Sequence, residues 1–252
     1  MRILAIALSA LTLVACGGGG GETSTAAVAT PSAEGVYGGT LTGSTSSAFQ
    51  MLVLENGEFW SMYGISTPTA FGVAGFVQGL GTSNNGTFTS ANVKDFGFRP
   101  AAAGTASATY NATAGTIAGT VSTTAGPVTF NGGPIAGSLY NYSTPASLAT
   151  VSGSWSTTTL TGETVTLNVA STGAFTAAGS SGCQFAGTVT PRASGKNVFN
   201  VALTFGAAPC ALPGQAGSGI AVAYPLANGK TQLLVTAMEG SRTYGTAVFG
   251  TR

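Results

Sequence analysis

Two stretches of this 252-residue chain repeat one rhythm, and that duplication constrains the fold more than any other feature. In the first, Gly35-Val36-Tyr37 opens a strand and AFQMLVLENGEFW (48–60) follows as a hairpin. In the second, Gly153-Ser154-Trp155 opens a strand and ETVTLNVASTGAF (163–175) does the same. The turn glycines Gly57 and Gly173 fall 22 and 20 residues after Gly35 and Gly153, and each is followed by an aromatic, Phe59 or Phe175. Further on, GFVQGLGTSNNGTFTSANVKDF parallels CQFAGTVTPRASGKNVFNVALTF, and GTASATY parallels GIAVAY. A repeat of about 115 residues exceeds a solenoid unit and is long enough for a core of its own. The expected organisation is a first β domain over 35–145 and a second over 146–252, with YSTPASLAT (142–150) at the boundary.

The hairpin residues can be assigned to faces. Asn56-Gly57 suits a two-residue type I′ turn, whose central residues both need positive φ. That turn would pair Glu55 with Glu58, Leu54 with Phe59, Val53 with Trp60 and Met51 with Met62. Phe49, Met51, Val53, Trp60 and Met62 would then face the core, leaving Leu52, Leu54 and Phe59 on the other side. Two apolar faces are unusual for a sheet wetted on one side, so the second face is expected to meet the other domain or to form an exposed binding patch. The second half alternates more cleanly, with Val165, Leu167 and Val169 on one face and Thr164, Thr166 and Asn168 on the other.

Only 6% of the residues are charged, and runs of strong helix formers at helical period are missing. Aromatic and β-branched residues instead recur at strand spacing between Gly- and Ser-rich turns, which predicts an all-β chain of two tandem antiparallel barrels or sandwiches. Closure into barrels is favoured because the strands carry few of the lysines and prolines that protect exposed edges.

The first fifteen residues read as a leader: Met1-Arg2 is a positive start, and Ile3 to Val14 is apolar apart from Ser9 and Thr12. Twelve helical residues rise only about 18 Å, too short for a hydrocarbon core of about 30 Å, so the segment targets the chain and does not anchor it. Leu13-Val14-Ala15-Cys16 resembles the lipobox of bacterial lipoproteins, which implies cleavage before Cys16 and acylation of that residue. Several acyl chains, at about 0.8 kcal/mol per buried CH₂, would hold the chain to a membrane. Residues 16–34, beginning with Gly17 to Gly21, form the flexible tether. By the same resemblance, Gly17 in place of an aspartate implies delivery to the outer membrane. With Cys16 lipidated, Cys183 and Cys210 remain, and an even pair in an oxidising compartment is expected to form a disulfide. Removal of Arg2 with the leader leaves seven of the eight basic residues against seven acidic ones, and so no electrostatic footprint for nucleic acid.

Gly153-Ser154-Trp155, a threonine-rich strand and a hairpin ending in Thr172-Gly173-Ala174-Phe175 resemble the start of a calycin-type barrel, the lipocalin and avidin group. The resemblance implies an eight-stranded up-and-down barrel; the first half departs from it in having Tyr37 where the tryptophan would stand.

Catalytic chemistry is easier to exclude than to propose. The chain has no histidine, so the usual serine-hydrolase base is missing, and its two remaining cysteines are expected to be oxidised. Nucleophile elbow, phosphate loop and dinucleotide fingerprint are all absent, and no cofactor is implied. Two thiolates without histidine do not complete a zinc shell, and with Asp95 as the lone aspartate a calcium shell lacks oxygens. A transmembrane barrel is disfavoured because the strands look short and are often interrupted. The expected function is a non-catalytic, lipid-anchored envelope protein that binds an envelope or host macromolecule. Its candidate surface is the hairpin tip Leu54, Glu55, Glu58 and Phe59. The alternative is a carrier of a small apolar ligand inside a barrel. The lumen separates the two: if Trp60, Met62 and Phe175 fill it there is no room for cargo, whereas small residues around a void would leave room.

Overall fold

The computed structural model describes residues 31–67, 70–135 and 137–252, whose regular structure is β-strand apart from one four-residue helix. Cys16, the leader and the glycine run lie outside the described residues.

Nine strands form the first unit: β1 (Gly35–Thr42), β2 (Ala48–Val53), β3 (Glu58–Ser66), β4 (Phe71–Leu80), β5 (Thr82–Asn84), β6 (Thr87–Asp95), β7 (Ala102–Asn111), β8 (Thr116–Thr123) and β9 (Gly126–Gly133). Hydrogen bonding runs β4-β3-β2-β1-β9-β8-β7-β6, and β6 returns to β4 through Val77↔Asp95 and Gln78↔Lys94. The result is a closed antiparallel barrel of eight strands, with β5 appended to β6 outside the ring. After α1 (Leu148–Val151), the second unit contains β10 (Gly153–Thr159), β11 (Thr164–Val169), β12 (Ala174–Gly179), β13 (Gln184–Pro191), β14 (Phe199–Phe205), β15 (Ala216–Pro225), β16 (Thr231–Glu239) and β17 (Gly245–Thr251). These eight also close into a barrel, sealed by Thr158↔Phe249 and Thr159↔Val248. Closure leaves no long unpaired edge for another chain to pair with. The strands that share sequence rhythm occupy equivalent places: GTASATY lies in β7 and GIAVAY in β15, each the sixth strand of its ring.

The ends of the barrels repeat as well. At the base of the first, Tyr37 Oη donates to Ala33 O at 2.8 Å and Tyr110 Oη to Pro31 O at 2.6 Å, so residues 31–34 plug the opening. At the base of the second, Trp155 Nε1 donates to Val151 O at 2.7 Å, and α1 is the plug. Ala33 and Val151 each lie four residues before the aromatic that donates to them. The Arg252 guanidinium sits over the Trp155 ring at 3.9 Å and donates to Ser152 O at 2.7 Å and Thr150 O at 3.2 Å, clasping the last strand to the plug.

The register of the first hairpin differs from the expected one. Leu54 N donates to Glu58 O at 2.8 Å, Gly57 N donates to Leu54 O at 2.9 Å, and Gly57 alone among the loop residues has positive φ, at 81°. This is a three-residue loop, a type I turn closed by a left-handed glycine, in place of the two-residue type I′ turn. The same pair of bonds recurs around Gly162, Gly173, Gly182 and Gly229. Val53 therefore pairs with Phe59 and Leu52 with Trp60. A slip of one residue moves a whole strand's side chains to the opposite face. Phe59 joins Phe49, Met51 and Val53 inside the barrel, while Trp60 and Met62 turn outward.

The outward face is not wet. Leu52, Leu54, Trp60 and Met62, with Phe71, Val73 and Phe76 of β4, form a continuous apolar layer with Ile220, Val222 and Tyr224 of β15 and Leu234 of β16. Trp60 stacks on Phe76 at 6.0 Å between centroids, and Phe76 on Phe96 at 4.6 Å. At the buried edge of this layer Gln232 forms a two-way clasp with the Phe71 backbone, accepting from its N–H at 3.1 Å and donating to its carbonyl at 2.9 Å. The second apolar face meets the other domain, and it makes the two barrels one packed body.

Candidate binding site at the barrel mouths

The hairpin tip singled out in the sequence does not form an open patch. Leu54 is 1% exposed within the layer between the barrels, and Phe59 is 2% exposed inside the first barrel, so neither can be reached by a partner. The two carboxylates do not face each other either. Glu55 forms an ion pair with Arg192 of the second barrel at 2.7 Å. Burial alone would raise the Glu55 carboxyl, but the hydrogen bond and charge of Arg192 hold it below its ordinary value. Glu58 accepts from Trp60 Nε1 at 3.0 Å and from Gln78 Nε2 at 3.2 Å. The tip thus joins the two barrels. A second ion pair, Lys196 to Glu34 at 2.7 Å, ties the plugged bases together in the same way.

The open ends are the concave surfaces. In the first barrel a cavity of about 380 Å³ is floored by Phe49, Met51, Phe59, Phe88, Ile117 and Phe130. The turns between β1 and β2, β6 and β7, and β8 and β9 rim it. The space exists because small side chains, Ser61 and Ala106 among them, stand on the inner wall where larger ones would fill the lumen. Trp60 and Met62 do not enter it.

One wall of this cavity is polar. Asp95, at the end of β6, accepts through Oδ1 from Tyr63 Oη at 2.7 Å and from Gly97 N at 2.9 Å. Two glycines make the slot for Tyr63: a Cβ at Gly97 would lie 1.8 Å from its Oη, and one at Gly75 would lie 2.3 Å away. Burial pushes the Asp95 carboxyl above its ordinary value of 3.8 and outweighs these two hydrogen bonds, which pull it down. The Tyr63 hydroxyl is pushed far above its usual range by burial and by the neighbouring carboxylate.

The second mouth holds a cavity of about 470 Å³. Its rim carries the Cys183–Cys210 disulfide, which bonds the β12–β13 turn to the connection between β14 and β15. Leu212 of that connection lines the opening with Arg99 and Tyr244. Below the rim Phe175, Leu167, Val201 and Leu203 pack the lumen, as Val53, Phe59 and Phe88 do in the first barrel. The β6–β7 loop stands between the mouths: Phe98 lines the first cavity and Arg99 the second. Ala101 N donates to Thr243 O at 2.8 Å, which fixes this loop against the β16–β17 turn of the other rim. Phe98 and Tyr244 are 45% and 44% exposed there, among the few large hydrophobic side chains left in solvent. Neither was marked by the sequence pattern, because both sit in turns outside the alternating strands.

Among the described residues no three His, Cys, Asp or Glu side chains converge as a metal site would require. No helix among them is long and apolar enough to cross a membrane.

No family model and no curated protein matches this chain. Solved structures resemble it only weakly, three of them as follows. Transferrin binding protein B from Haemophilus parasuis Hp5, as its Trp-176-Ala mutant, is 9% identical over 84% of this chain and 66% of its own, with a TM-score of 0.26. The isotype 1 transferrin binding protein B from serogroup B Neisseria meningitidis is 9% identical over 82% of this chain and 52% of its own, at 0.25. A protein of unknown function from the DUF3598 family of Nostoc punctiforme PCC 73102 is 11% identical over 87% of this chain and 94% of its own, also at 0.25. Likeness at this level identifies neither a partner nor a site.

Proposed function

We propose that this chain is a non-catalytic binding protein of the bacterial envelope, lipid-anchored through Cys16, that holds a macromolecular partner across the rims of its two barrels. The observation that carries this reading is the junction of the rims, where exposed Phe98, Arg99 and Tyr244 sit on loops held together by the Ala101–Thr243 hydrogen bond. Aromatic and arginine side chains dominate binding hot spots, and a surface pre-formed by two packed barrels loses little freedom on binding. Arg99 has no ion-pair partner among the described residues, which leaves its charge free for a partner's carboxylate. The test is capture of an envelope or host protein by the wild type, compared with a Phe98→Ser/Arg99→Ser/Tyr244→Ser variant of unchanged thermal unfolding. Loss of capture supports the reading, and equal capture by both sinks it. The anchor is tested separately: Cys16→Ser should abolish acyl labelling and membrane retention.

A second reading, a carrier of a small apolar ligand, is favoured by the cavity in the mouth of the first barrel. Its cavity of about 380 Å³ falls within the 300–1,000 Å³ typical of small-molecule sites, and its floor is apolar. The calycin resemblance of the Gly153-Ser154-Trp155 strand points the same way, although it lies in the second barrel. Ser61→Phe, which places a ring in the lumen, should abolish binding of an environment-sensitive apolar dye that the wild type takes up. Equal uptake by both proteins would exclude the lumen as the site.

A further inference from the structure

We infer that the first-barrel cavity is built to take an aliphatic ligand with a cationic amine head, the chain lying on the aromatic floor and the ammonium against Asp95. This rests on the carrier reading and adds the chemistry of the ligand.

Among the described residues Asp95 and Tyr63 are the only ionisable side chains lining the cavity, and Tyr63 is committed as a donor to Asp95. Both hydrogen bonds to the carboxylate end on Oδ1, and Oδ2 has no hydrogen-bond partner among the described residues. Neither of the ion pairs among the described residues involves Asp95. A half-buried carboxylate without a counter-charge is costly to keep, and in a folded chain it is normally paired or absent. Here it is kept and also held in place, since Tyr63 fits only because Gly75 and Gly97 lack side chains. This vacant carboxylate oxygen therefore belongs to a residue lining a largely apolar space, and no Lys or Arg side chain among the described residues lines that space with it. An ammonium supplies both the missing charge and the hydrogen bond, whereas a fatty carboxylate would set two like charges together. An alcohol supplies the hydrogen bond alone.

Three probes with one ten-carbon body separate these cases: decylamine, decan-1-ol and decanoate, titrated calorimetrically into the full chain at neutral pH below their aggregation limits. Decylamine should bind about tenfold more tightly than decan-1-ol, the difference expected of a hydrogen bond to a charged rather than a neutral donor, and decanoate should bind most weakly. Asp95→Asn should erase this ranking by weakening decylamine the most, and Ser61→Phe should abolish binding of all three. The ranking in the wild type tests the inference even if the Asn variant does not fold. Equal affinities for the three probes would overturn the amine assignment and leave the carrier reading standing. No binding of any probe would overturn both.

Discussion

Truncating Trp60 to alanine tests whether the two barrels act as one body. Trp60 is 3% exposed, and a buried tryptophan removes about 150–250 Å² from water. At about 25 cal/mol per Å² the lost burial comes to about 4–6 kcal/mol, and core Trp→Ala changes generally cost about 3–5 kcal/mol. Glu58 keeps its hydrogen bond from Gln78, so no carboxylate is orphaned and about 4 kcal/mol is the expected loss. Across the layer Ile220 is also 3% exposed, and Ile220→Ala should cost about 3 kcal/mol. Both side chains border the same narrow gap of about 40 Å³ between the barrels, so their effects should couple by about 0.5–3 kcal/mol in a double-mutant cycle. The assay is urea unfolding followed by far-ultraviolet circular dichroism and by tryptophan emission. The chain has two tryptophans, so in Trp60→Ala the emission reports only Trp155, deep in the other barrel. Destabilisation of the Trp155 transition by a substitution in the first barrel is the expected signature. Effects that add within about 0.3–0.5 kcal/mol, or a Trp155 transition that does not move, would refute a shared core and restore Trp60 to the lumen of its own barrel.

Replacing Cys183 and Cys210 together by alanine removes a cross-link spanning 27 residues and should cost about 3.5 kcal/mol by chain entropy, read from the Trp155 transition; free thiols in the native protein would contradict it. Arg252→Ala removes the cation over the Trp155 ring and two hydrogen bonds to the α1 plug, and should cost roughly 1–2 kcal/mol with a red shift of Trp155 emission. Asp95 has a folded pKa above its ordinary value, so the fold binds its proton more readily than the unfolded chain does and this residue's contribution to stability grows as the pH falls towards 3.8. Asp95→Asn should therefore raise stability at neutral pH and flatten that part of the acid profile, measured by thermal unfolding across pH; a loss of stability at neutral pH would count against it.

The second barrel was more legible in the sequence than the first, and the difference has a physical origin. Residues of β11 alternate strictly, Val165, Leu167 and Val169 inward against Thr164, Thr166 and Asn168 outward, because the outside of that strand meets water. The hairpin of β2 and β3 carries a second apolar face for the other barrel, which erases the alternation that would have fixed its register. The turn then had to decide, and Asn-Gly suggests the wrong loop length when the residue before it is part of the turn. The duplication contained the correction: Glu55-Asn56-Gly57 and Ser171-Thr172-Gly173 are equivalent loops with one left-handed glycine each, at φ 81° and 87°. Aligning the two glycines as third loop residues would have turned Trp60 outward and Phe59 inward from the sequence alone.

The mouth was hidden for a different reason. Asp95 is conspicuous in the sequence as the lone aspartate, but its environment is made by distant parts of the chain. It lies where β6 returns to β4, opposite Val77, and it is reached by Tyr63 from 32 residues earlier. No local pattern places a carboxylate at such a seam, because the seam exists only once the barrel has closed. The same closure brings Phe98 and Arg99 to the junction of the two rims, in a turn with no periodicity to mark it. Strand alternation reports which side chains are buried along a wall, but it carries no information about the loops that end the wall. In this fold the junction of the rims lies on those loops and Asp95 stands where a strand gives way to one of them, so the features that made the barrels recognisable are not the features that would engage a partner.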